Sequence, residues 1–89
     1  MLYRPSDGEV LTNATVTLVW GASPTGAEYY EIEINTPSTG PVTVITVGTS
    51  CTISVSPGQY SWRVRAYLSA LGGYSVFTST WTFTVETQA

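Results

Sequence analysis

The 89-residue chain has no histidine and no lysine, and it has a single cysteine. Without histidine there is no imidazole base for a nucleophilic triad and no His-rich zinc site; without lysine there is no Schiff base. One cysteine cannot close a disulfide within the chain. Positive charge is scarce as well: Arg4, Arg63 and Arg65 stand against six carboxylates, for a net charge of −3. Phosphate backbones are held by clustered Lys and Arg, so nucleic acid is excluded as a partner. The apolar runs are too short to span a bilayer, so no membrane insertion is expected. Met1-Leu2-Tyr3-Arg4-Pro5 is not followed by the apolar stretch of a signal peptide. No sequence motif calls for a metal or a cofactor.

What is present is an apolar, hydroxyl-rich chain. Hydrophobic residues make up 43% and charged residues 10%, where a charged share of ~25% is usual. Threonine (15) and serine (10) supply most of the polar surface. A lysine-free, acidic, Ser/Thr-rich composition points to an extracellular or cell-surface location. The length fits one domain over residues 1–89, with its core at about 3–86. A domain this small buries only ~60–65% of its unfolded surface.

Apolar residues recur with a period of two. Val16, Leu18 and Trp20 share one face; so do Tyr30, Ile32 and Ile34, with Glu31 and Glu33 opposite. Cys51, Ile53 and Val55 alternate with Thr52 and Ser54. Tyr60, Trp62, Val64 and Ala66 alternate with Arg63 and Arg65, and Trp81, Phe83 and Val85 close the series. Each is a half-buried strand. Pro41 to Val47 reads as a further β-branched strand. Turn residues separate these runs, among them Pro5-Ser6-Asp7-Gly8, Pro37-Ser38-Thr39-Gly40 and Ser56-Pro57-Gly58. No window of helical length has a 3.6 period. The expected fold is an all-β sandwich of about seven antiparallel strands.

In order along the chain come Pro5-Ser6-Asp7-Gly8, Leu18-Val19-Trp20, Tyr30-Glu31-Ile32-Glu33-Ile34, Pro57-Gly58-Gln59-Tyr60-Ser61-Trp62-Arg63-Val64-Arg65-Ala66, and Phe77-Thr78-Ser79 with Phe83-Thr84-Val85. Together they resemble a fibronectin type III domain of the bacterial, Ig-like kind, over nearly the whole chain. The departure is at the front, where only Met1 to Arg4 precede the first turn, so the first strand is short. The resemblance implies that Trp20 lies between the two sheets. It implies that Tyr60 is the tyrosine of a corner, its hydroxyl bonded to upstream backbone. It also implies that the third strand lies beside the sixth, so that Glu31 and Glu33 meet Arg63 and Arg65. Trp20, Tyr60, Trp62 and Phe83 are the expected structural core.

The ordinary reading of the Glu/Arg set is a cross-strand charge cluster on the wet face, and the sequence offers no cleft for paired-carboxylate catalysis. Cys51 points inward as a small apolar residue; an intermolecular disulfide would require it to be exposed. The uncharged link Leu68 to Val76, with Leu68, Leu71, Tyr74 and Val76, is either a contact site or a cap on one end. Leu2 and Tyr3 join it as candidate interaction residues. Asn13-Ala14-Thr15 is a glycosylation sequon. Outward threonines (Thr15, Thr17, Thr43, Thr52, Thr82, Thr84) suit O-glycans or plain β-propensity, and the second needs no extra assumption.

These residues make the expected protein no enzyme, but a structural module of an extracellular protein. It is either the subunit of a fibre or one bead of a tandem surface protein. It would act on copies of itself or on neighbouring domains through end-to-end or strand-edge contacts. The polar tail from Glu86 to Ala89 would serve as a linker. The other reading is a carbohydrate-binding or adhesive accessory module of a secreted enzyme or adhesin. It would take glycans on exposed tyrosines, with Tyr3, Tyr29, Tyr67 and Tyr74 as candidates.

Overall fold

Alternation along the chain produces two β-sheets whose apolar faces meet. The computed structural model describes residues 2–24, 26–37 and 39–86, without the side chain of Leu71. Nine strands form among them: β1 (Leu2–Arg4), β2 (Glu9–Leu11), β3 (Thr15–Trp20), β4 (Tyr29–Thr36), β5 (Gly40–Thr46), β6 (Ser50–Ser54), β7 (Gly58–Leu68), β8 (Gly73–Tyr74) and β9 (Trp81–Val85). One sheet has the order β1-β3-β6; the other runs β2-β9-β7-β4-β5, with β8 beside β7. The result is a β-sandwich-like, all-β body measuring 48 × 22 × 19 Å.

Two expectations are corrected here. Nine strands replace seven because the N-terminal segment serves both sheets and the 68–76 link contributes the two-residue β8. The pairing is also not wholly antiparallel, since β2 runs parallel to β9, with Glu9 opposite Phe83 and Leu11 opposite Val85. The chain changes sheets at Pro5-Ser6-Asp7-Gly8. There the Ser6 N–H donates to the Glu9 carboxylate (2.7 Å), and the Asp7 carboxylate accepts from the Thr82 N–H (2.9 Å). At three residues, β2 is too short for a period of two to reveal it.

The core consists of the inward-facing sets. Trp20, Trp62, Phe83, Leu18, Ile32 and Ile34 are its largest fully buried side chains. Trp20 meets Tyr30 and Trp62 edge-on, with ring centroids 5.8 and 6.4 Å apart. Tyr60 stacks on Phe83 at 5.0 Å. The indole N–H groups of Trp20 and Trp62 are buried without a hydrogen-bond partner among the described residues. Each forfeits ~1–3 kcal/mol that the aromatic packing must offset. Cys51, Ile53, Val55 and Trp81 pack against the core while half-buried.

Tyr60 forms the expected corner. Its hydroxyl accepts from the Ser56 N–H (2.9 Å) and donates to the Ser56 carbonyl (3.0 Å), closing the turn into β7. Gly58 in that turn has φ +149°, and a Cβ there would collide with the Pro37 ring of the β4–β5 turn. Only glycine allows the two turns to approach so closely.

The register also orients the body. Leu2 pairs with Trp20 at the end of β3, and Val85 pairs with Gly58 beside Leu11 and β3's beginning. The described chain therefore enters at one pole and leaves at the other.

Candidate functional site

The outer face of the larger sheet carries its charge. Glu31 sits opposite Arg65 and Glu33 opposite Arg63 on neighbouring strands. Arg65 donates from Nε (3.0 Å) and Nη2 (2.8 Å) to one oxygen of Glu31, and Arg63 Nε donates to Glu33 (3.0 Å). The expected cross-strand cluster is thus in place. Both carboxylates project side by side from β4, and each is held by a guanidinium.

Aromatic rings cover the arginines. Phe77 lies under the Arg63 guanidinium at 3.9 Å and near Arg65 at 4.7 Å, while Tyr74 lies under Arg65 at 3.8 Å. The segment after β8 is drawn along β7 by backbone bonds: Ser75 N–H to Ala66 carbonyl (2.8 Å) and Thr78 N–H to Val64 carbonyl (2.9 Å). Phe77 was not among the sequence candidates. Its signal was an aromatic in an uncharged stretch following a strand with two outward arginines, the setting for a cation–π contact.

Three of the candidate tyrosines come together. Tyr29 and Tyr67 stack at 4.8 Å, and Tyr74 stands edge-on to both. The hydroxyls of Tyr29 and Tyr74 are 3.0 Å apart. The hydrogen bond to Tyr29, with partial desolvation and the Tyr29 and Glu31 charges, pushes the Tyr74 pKa up to about 12. The rings face one another and Arg65, so they do not form the coplanar open platform that a sugar would stack on. Tyr3 lies apart from them, 53% exposed, with its hydroxyl against Gly21.

The remaining candidates divide by burial. Leu2 is 3% exposed and belongs to the core beside Trp20, so it offers a partner no surface. This corrects the expectation for Leu2: even a three-residue strand buries alternate side chains. Tyr74 and Val76 are exposed, Val76 by 89%, and Leu68 is half-buried. The side chain of Leu71 lies outside the described residues, as do Thr87 to Ala89 of the expected linker. The turn after Leu68 is tied down at Ser69, whose N–H (3.1 Å) and hydroxyl both donate to Glu28. Those two bonds hold the Glu28 carboxyl below its ordinary pKa. Asn13 is exposed in the turn between β2 and β3. Burial pushes the Cys51 thiol pKa up, which leaves less of the nucleophilic thiolate.

The short first strand leaves part of β3 without a neighbour on that side, since β1 reaches only Val19 and Trp20. A groove of about 480 Å³ runs there, lined by Tyr3, Arg4, Glu9, Asn13 and Thr17 among others. Charges of both signs stand in it. Among the described residues no three His, Cys, Asp or Glu side chains converge as a metal-binding group, and no helix is long and apolar enough to cross a membrane. Compared with known proteins, the chain matches no family model and no curated sequence.

Proposed function

We propose that this is a fibronectin type III-like, Ig-like module with a non-catalytic, structural role in an extracellular protein. It serves as a bead of a tandem array or as the subunit of a fibre, and it acts through end-to-end or strand-edge contacts with copies of itself or neighbouring domains. The sheet orders β1-β3-β6 and β2-β9-β7-β4-β5, together with the Tyr60 corner, support the fold assignment. The observation that carries the function is polar entry and exit. The described chain begins beside Trp20, where β3 ends, and leaves beside Gly58, toward the end at which β3 begins. Such a unit extends an array when joined head to tail, whereas a domain with adjacent ends is inserted as a side branch. Exposed Tyr3, Tyr74 and Val76 lie toward the entry pole, where a preceding unit would seat.

The test is a chain of two copies joined directly, studied by small-angle scattering at low concentration. The expected maximum dimension is well above the 48 Å extent of one copy. Two copies folded side by side, or tumbling independently of each other, would contradict the end-to-end role.

A further inference from the structure

Resting on that reading, we propose that β5 is a self-association edge, which pairs antiparallel with β5 of a second copy about a two-fold axis at Ile45. In an antiparallel ladder, a residue's N–H and C=O point to the same neighbour, and alternate residues address opposite neighbours. On β7, Ala66 and Val64 bond toward Ser75 and Thr78. Arg65 and Arg63 therefore address β4, opposite Glu31 and Glu33. The same alternation on β4 turns Ile32 and Ile34 toward β5, opposite Val44 and Val42. The backbone groups of Thr43 and Ile45 are then left pointing outward, at the end of the sheet order, where no further strand pairs among the described residues.

This edge has one guard, Pro41 near its start, and lacks the others. Natural edges carry charge, Pro, a bulge or a very short strand to block pairing. Here β5 is seven residues long and pairs with β4 in unbroken register. No charged residue occurs anywhere from 34 to 62. Ile45 is 60% and Val47 78% exposed. By contrast, the open stretch of β3 has Arg4 and Glu9 in its groove. The occupant of the β5 edge is a second copy because an uncharged edge complements itself. The nearest like charges, Glu31 on each copy, would be three strand spacings apart, ~14 Å. That exceeds the ~8 Å screening length at physiological salt, and each is already paired with its own Arg65.

Pro41 selects the register. It lacks an N–H, so a two-fold at Thr43 would place it opposite Ile45 and lose a bond on each side. A two-fold at Ile45 pairs Ile45 with its own copy and Thr43 with Val47 of the second copy, and leaves Pro41 beyond the ladder. Both pairs are β-branched, which favours pairing, although Val47 lies one residue past the end of β5. So short a strip buries less than the ~1,200 Å² of a stable interface, so the dimer is weak and depends on concentration.

Sedimentation velocity from micromolar to millimolar concentration tests this, with intact tryptophan emission confirming the fold of each variant. The expected result is reversible dimerisation that Ile45→Lys abolishes. In a Cys51→Ser background, Ile45→Cys should form a disulfide dimer at least ~10-fold faster than Thr43→Cys, since paired Cα atoms lie ~5.5 Å apart. Association that survives Ile45→Lys, or equal crosslinking by the two cysteines, overturns the β5 site. A wild-type protein that stays monomeric at millimolar concentration overturns it too. The two-copy scattering measurement does not involve Ile45, so the end-to-end reading stands or falls separately.

Discussion

Replacing Tyr60 by Phe isolates the corner from the ring. Tyr60 is 4% exposed and stacks on Phe83 with only 3° between the ring planes. Phe keeps that stack and nearly all the apolar burial. It removes the two bonds to Ser56, at 2.9 and 3.0 Å, and leaves a part-buried backbone N–H and C=O without their partner. At ~0.5–1.5 kcal/mol net for each bond, the loss is about 1–3 kcal/mol. A domain of this size is stable by roughly 4–13 kcal/mol, so the change removes a large fraction. At ~4–8 °C per kcal/mol for a chain this short, the melting temperature falls by roughly 4–24 °C. Urea unfolding followed by tryptophan emission should show the midpoint falling with an unchanged slope. Tyr30→Phe is the internal standard. Its hydroxyl accepts one bond, from the Ser23 N–H at 2.8 Å, so it should cost about half as much. If Tyr60→Phe unfolds within ~0.3 kcal/mol of wild type, or Tyr30→Phe costs more, hydroxyl bonding does not hold the turn into β7 and the reasoning fails.

Trp62→Ala, at a residue 1% exposed, should cost ~3–5 kcal/mol, and a cooperatively folded variant with little loss in urea titration would refute its central place in the core. In a double-mutant cycle, Glu31 with Arg65 should couple by about 1 kcal/mol, and Glu33 with Arg63, the more exposed pair, by less; equal couplings would show that the lower exposure of the Glu31–Arg65 pair adds nothing. Ultraviolet titration should find one tyrosine ionising late, at about 12, and Tyr29→Phe should bring it down. Because the folded protein holds that proton above the ordinary tyrosine range, the stabilisation is complete below about pH 10 and is lost as pH rises from there to about 12. An unchanged titration in Tyr29→Phe would rule out the hydroxyl pair as the cause.

Where one face of a strand is buried and the other wet, the fold could be read from the sequence. Trp20, Tyr60, Trp62 and Phe83 all reached the core because each sits in a run of alternating residues, and a one-residue slip would expose every one of them. The pairing of Glu31 and Glu33 with Arg65 and Arg63 came from the resemblance, and the register agrees with it. The missed features are those that alternation cannot encode. The Glu9–Leu11 strand is too short to show a period, and its parallel partner lies more than seventy residues away. The position of Phe77 depends on where a loop folds back, a tertiary matter that local sequence does not fix. Leu2 lies in a three-residue strand, again too short for alternation to show which way it points.

The parallel pairing of β2 with β9 has a mechanical consequence. If the chain is pulled from its two ends, β2 is drawn toward the entry pole and β9 toward the exit pole, along a common axis. Their hydrogen bonds, flanked by Gly8 N–H to Thr82 carbonyl (2.7 Å) and Glu86 N–H to Leu11 carbonyl (2.8 Å), then lie across the direction of force. They must rupture together instead of unzipping one by one. This short patch of backbone resists extension in shear, while the core behind it stays closed until the patch gives way.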